Sequence, residues 1–245
     1  MNRTSITGLA CLLAVALTAC AGGGEPPAPS GSPASAPLEA LKEPANSMSV
    51  SPPLSPAPVS AEALAAYRAL LAGEPGALDR PPEGLELHQV TLPPAEELEY
   101  VLLDLDGDGG AELVVQMVAQ PHQFNAVFHY GDGELSCWQY DIMEMSCRDY
   151  PLGDGAMVRQ YDTGTGPNRY SNLYTVFRYL PDGETEKCAS LAVHQDTQED
   201  GTEVFTYLVD DAEVDQDTFA AEFEELVGSR LLSLEDWTPA TERPG

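Results

Sequence analysis

Asp104, Asp106 and Asp108 alternate with single residues, and Glu112 follows four positions after the last of them. Carboxylates at that spacing converge on one point, and holding a hard divalent cation is the chemistry such a point serves. By position, residues 104–112 spell D-x-D-x-D-G-x-x-E. Gly109 permits the sharp turn, the Gly110 carbonyl adds an oxygen donor and Glu112 closes the shell. Calcium is the expected ion, since it takes about six to eight oxygen ligands in flexible geometry. The apolar runs on both sides, Tyr100-Val-Leu-Leu103 and Leu113-Val-Val115, read as strands. The unit is therefore strand–loop–strand, and its twelfth position is Val115, where an EF-hand carries a bidentate glutamate. An affinity of about 10⁻⁴ to 10⁻³ M, as in extracellular modules, is the expectation.

The remaining reactive side chains define no second constellation. His88, His122, His129 and His194 lack metal-type spacing, and on one strand His122 and His129 face opposite sides, so zinc is not expected. The chain has no G-x-S-x-G elbow, no H-E-x-x-H and no P-loop. Acidic residues are so abundant that naming an acid/base pair requires geometry. With Cys11 and Cys20 set aside, Cys137, Cys147 and Cys188 remain, an odd number that allows at most one internal bridge. Cys137 and Cys147 flank a turn around Ile142, so neighbouring antiparallel strands would bring them face to face. The other reading is buried, reduced thiols.

The elements that must position the loop follow from pattern. Ser60 is an N-cap, Glu62 lies in the first turn, and Leu64, Tyr67 and Leu71 recur at helical spacing before Gly73. Residues 74–94, rich in Pro and Gly, read as a surface loop with a short edge strand near Leu85–Val90. Beyond the cation loop, Gly131-Asp-Gly133, Gly153-Asp-Gly155, Pro181-Asp-Gly183 and Asp200-Gly201 punctuate strand-like segments such as Phe124–Tyr130, Leu173–Leu180 and Val204–Val209. Phe124, Ala126, Phe128 and Tyr130 share one face. Asp215 caps a second helix with Phe219, Phe223 and Leu226 as its apolar stripe and Gly228 as its stop, and Trp237 packs back on the sheet. The expected class is α+β: an antiparallel β-meander, as a single curved sheet or a partial-propeller-like one, flanked by an N-terminal and a C-terminal helix. Tyr161, Tyr170 and Tyr174 are either an exposed aromatic patch or core.

Residues 1–19 carry Arg3 and then a short apolar core from Ile6 to Leu17, too short for a stable bilayer span. With Leu17-Thr-Ala-Cys20 they resemble a bacterial lipoprotein signal peptide and its lipobox. That resemblance implies a lipid anchor on Cys20 and a mature protein attached to the extracytoplasmic face of the cell membrane without crossing it. From Ala21 to Pro58 the chain holds ten of its 21 prolines, with Ser, Ala and Gly. Residues 20–58 read as a disordered stalk, which at about 5–6 Å × √n spans roughly 35 Å. The folded part is then 59–240. The net charge of -29, from 40 acidic and 11 basic side chains, argues against electrostatic binding of nucleic acid or an anionic lipid surface.

The stretch Tyr100-Val-Leu-Leu-Asp-Leu-Asp-Gly-Asp-Gly-Gly-Ala-Glu-Leu-Val-Val115 resembles the repeat core of FG-GAP/VCBS-type domains, which show D-x-D-G-D-G-x-x-E/D-L between strands. The resemblance implies calcium held by Asp104, Asp106, Asp108, Glu112 and the Gly110 carbonyl. It covers one copy, whereas closing a propeller ring takes several. Gly131-Asp-Gly133-Glu134 lacks the alternating aspartates and reads as a turn. Together with the lipobox and stalk, the chain also resembles surface lipoproteins of anaerobic gut bacteria. The function expected is a non-catalytic, lipid-anchored module that offers a protein or glycan ligand a calcium-clipped fold. The alternatives are an extracytoplasmic hydrolase with two carboxylates in a cleft, or an inhibitor or quality-control lipoprotein.

Overall fold

A computed structural model describes residues 57–141, 146–164, 166, 168–242 and 244, without the side chains of 120–123 and 141. The signal segment 1–19, Cys20, the stalk as far as residue 56 and the turn at Ile142 lie outside the described residues.

Helix α1, Ala61–Leu71, starts where Ser60 Oγ accepts the Ala63 N–H at 3.0 Å, and it buries Ala63, Tyr67 and Leu71. It stops as Gly73 takes a left-handed φ of 67°. The edge strand expected near Leu85–Val90 is instead a 3-10 turn, Leu87–Gln89. The side chains of Glu86 and Gln89 cap each other's backbone there, satisfying donors that a strand would leave open at an edge.

The chain then runs through β1 (Leu98–Leu103), β2 (Glu112–Met117), β3 (Gln120–Gly131) and β4 (Glu134–Asp141). Next come β5 (Cys147–Pro151), β6 (Met157–Gly164), β7 (Arg169–Tyr179), β8 (Thr185–Thr197), β9 (Glu203–Val209) and β10 (Ala212–Val214). Helix α2 (Gln216–Leu226) and β11 (Thr238–Pro239) complete it. The α+β class with an antiparallel meander stands, and the meander is divided between two sheets, ordered β11-β1-β2-β3-β4 and β10-β9-β8-β7-β6-β5. All four turns read from Gly and Asp fall between strands, and Asp132 and Gly133 take φ of 54° and 84° between β3 and β4, as a two-residue hairpin requires.

Strand alternation sorts the first sheet into two apolar faces. Leu98, Tyr100, Leu113, Val115, Phe124, Ala126 and Phe128 cover α1, while Val101, Leu103, Val114 and Val127 meet Met157, Phe177 and Tyr179 of the second sheet. On the second sheet's far face Tyr174 and Tyr207 pack edge-on and tilted against Phe223 and Phe219 of α2. The result is four layers, helix–sheet–sheet–helix. Trp237 is buried between the sheets.

That division also separates the cysteines. Cys137 lies on β4 and Cys147 on β5, strands of different sheets, so they are not the neighbouring pair that a bridge would need. Cys137, Cys147 and Cys188 are all thiols. Burial pushes the Cys137 thiol up to about 12, which leaves it protonated and inert.

Candidate metal centre

The loop 104–111 joins β1 to β2, whose register pairs Leu103 with Glu112. Its shape comes from its own carboxylates. Asp104 accepts the Gly107 N–H on Oδ1 at 2.7 Å and the Gly109 N–H on Oδ2 at 3.1 Å. Asp106 Oδ1 accepts from Asp108 N–H at 3.0 Å, and Asp108 Oδ1 accepts from Gly110 N–H at 2.6 Å. The Asp106 and Asp108 bonds are Asx turns, and Asp104 reaches the amides three and five residues on, so the short side chains satisfy the backbone and fold the chain back on itself.

Three outside contacts hold the loop in place. Leu105, fully buried, is anchored in the core between the sheets. The Tyr67 hydroxyl of α1 donates to the Ala111 carbonyl at 2.8 Å. From the β5–β6 turn Gly155 approaches so closely that a Cβ there would lie 2.0 Å from the Asp104 carbonyl oxygen. Arg178 and Arg230 tie that turn down through Asp154, whose carboxyl they hold below its usual range against the opposing effect of burial.

Of the five residues read as ligands, the structure gathers ligand atoms of Asp104, Asp106 and Asp108 within 4.8 Å of one another. Gly110 contributes its N–H to the turn as described. Glu112 sits deeper. Its Oε2 accepts the Leu105 N–H at 2.8 Å, and its Oε1 lies 2.9 Å from Nδ1 of His129, with which it shares a hydrogen bond. Asp106, Glu112 and His129 form a second trio within the same 4.8 Å. His129 escaped the sequence reading because the link is cross-strand: the β2–β3 register pairs Leu113 with Phe128, and one further step sets Glu112 opposite His129. Plain counting from the tight turn, where Met117 pairs with Gln120, would have set Glu112 opposite Asn125, because the register shifts between Gln116 and Met117; no sequence signal pointed to His129.

The site's electrostatics follow from crowding and burial. Desolvation pushes the Asp106 carboxyl up, against the Asp108 N–H and with the Asp108 charge. Desolvation also raises Glu112, opposed by its bonds to His129 and Leu105. Burial draws the His129 imidazole down, but the hydrogen bond and charge of Glu112, joined by Asp106 and Asp108, more than offset it, and the net shift is upward. Asp106 Oδ2 is shut off from solvent and has no hydrogen-bond partner. Such a site fits a cation, because crowded carboxylates surround one buried oxygen, Asp106 Oδ2, that lacks a donor.

Of the three tyrosines, Tyr174 is core and Tyr161 is exposed, with Tyr170 between them. Among the described residues no helix is long and apolar enough to cross a membrane. No protein-family model, curated protein or solved structure matches the chain.

Proposed function

We propose that this chain is a non-catalytic, lipid-anchored module on the extracytoplasmic face of the membrane, with Cys20 as the anchor and calcium in the 104–112 loop as a structural clip. A protein or glycan is the partner offered the folded part. The observation that carries the reading is the convergence of Asp104, Asp106 and Asp108 on a loop held by α1, β1, β2 and the β5–β6 turn, with one aspartate oxygen buried and lacking a donor. A cation there would offset mutual repulsion among carboxylates and join elements from three layers of the fold. Calcium would be held by the loop aspartates, and it would supply charge neutralisation and no redox chemistry.

Calcium titration of the full chain tests the clip. Calorimetry should give a one-site heat, and calcium at about ten times Kd should add about 1.4 kcal/mol, raising Tm by a few degrees. Asp106→Asn with Asp108→Asn should abolish both responses. A chain whose Tm and heat are unmoved by calcium to about 10 mM has no clip at this loop.

A further inference from the structure

Asp106 belongs to two groups of ligand atoms. One is the loop trio with Asp104 and Asp108, and the other is the inner trio with Glu112 and His129. The inner trio is built into the fold. Glu112, 1% exposed, opens β2, and the Leu105 N–H fixes its orientation. His129 is held flat against Trp138, ring centroids 4.4 Å apart and planes 11° from parallel. Glycine at 131 makes the room for that ring, since a Cβ there would lie 2.5 Å from Nε2. The unpartnered, solvent-excluded Oδ2 belongs to the aspartate that both trios share.

Glu112 and His129 are hydrogen-bonded at a spacing within about 0.5 Å of what a tetrahedral metal would set between them. At zinc's tetrahedral angle two bonds of about 2.1 Å leave their ligand atoms about 3.4 Å apart, so a small opening of the pair would admit the ion. Oε1 of Glu112 and Nδ1 of His129 are 2.9 Å apart. An imidazole nitrogen beside two carboxylates is a donor set that calcium does not favour, whereas zinc and its first-row neighbours do. We propose that Asp106, Glu112 and His129 form a second, inner cation position for a borderline divalent ion of the zinc class, sharing Asp106 with the outer calcium position. The proposal rests on the calcium reading only for that shared aspartate. Metal binding here replaces the Glu112–His129 hydrogen bond with two metal–ligand bonds and releases the Nδ1 proton to solvent when the ring carries one there.

Cobalt(II), the visible stand-in for zinc, tests this on the full, metal-free chain. Titration should develop visible bands with one nitrogen donor, and a stoichiometric amount of zinc should remove them. His129→Gln should weaken cobalt binding at least tenfold while leaving the calcium-induced rise in Tm in place. Asp108→Asn should do the reverse, and an unaltered chain that binds cobalt but shows no calcium response defeats the outer reading and leaves the inner one standing. A cobalt spectrum that stays that of the aquo ion, or binding indifferent to His129→Gln, overturns the inner site. If His129→Gln fails to fold, manganese(II) on the wild-type chain decides. A bound imidazole nitrogen couples to it in pulsed EPR, and absence of that coupling overturns the proposal.

Discussion

Gly155 shows how much the loop depends on a residue outside it. It has a φ of 83°, and its α-carbon faces the Asp104 carbonyl at a distance that admits no side chain. Gly133 has nearly the same φ, 84°, with nothing within 4 Å of a built Cβ, so the two glycines separate backbone strain from collision. Gly133→Ala should destabilise the fold by about 1 kcal/mol, the left-handed penalty alone. Gly155→Ala should destabilise it by about 2–4 kcal/mol, because the loop or the β5–β6 turn must also move. Urea denaturation of both variants checks the difference. Equal losses would mean that the close approach at Asp104 has no energetic weight. The contact at Gly155 was not legible in the sequence. Gly155 reads as one more turn glycine, and only the meeting of two sheets makes it a neighbour of Asp104.

Between elements, a chain of polar contacts, buried except at the half-exposed Arg159, fixes how the two sheets meet. Asp149 of β5, 2% exposed, accepts from Arg159 of β6 at 2.5 and 2.9 Å and from Gln139 Nε2 of β4 at 2.7 Å. The Tyr179 hydroxyl of β7 donates to Gln139 Oε1 at 2.6 Å, and Asn125 of β3 donates to the Asp149 carbonyl at 2.8 Å. Five strands from both sheets are thereby joined, and buried polar groups of this kind stabilise only while every partner is present. Asp149→Asn keeps the shape and removes the charge. It should lower stability by about 1.5–3 kcal/mol, read from the chemical denaturation midpoint at an unchanged m-value. A change below about 0.5 kcal/mol would show that the sheets are held by their apolar faces alone. The sequence marked the strands of this junction through their turns, but it gave no sign that the meander would break between β4 and β5. Alternation tells which residues share a face, not which sheet a strand joins.

For the whole molecule the dominant long-range force is self-repulsion, with 40 acidic side chains against 11 basic. Compact folding gathers these charges, so screening should favour the folded state. Raising a monovalent salt from about 0.01 to 0.15 M shortens the Debye length from about 30 to about 8 Å. Stability should rise by on the order of 1 kcal/mol, measured in tetramethylammonium chloride so that no metal site is filled. A fall with added salt would mean that ion pairs such as Arg178 and Arg230 with Asp154 outweigh the repulsion.

Much of this protein was written locally, and local patterns survive translation into three dimensions. Ser60 and Asp215 cap the two helices, Gly and Asp mark the turns, and Phe124, Ala126 and Phe128 share the face their alternation assigns. The three loop aspartates converge because their side chains bond amides at most five residues on and need no partner outside the loop. The tertiary structure decided what depends on residues far apart in the chain. It split the meander into two sheets, kept Cys137 and Cys147 apart, and turned Glu112 inward to His129. Each of these outcomes follows from strand register and sheet packing, which compare residues across the fold, where hydrophobic period and turn chemistry compare only neighbours.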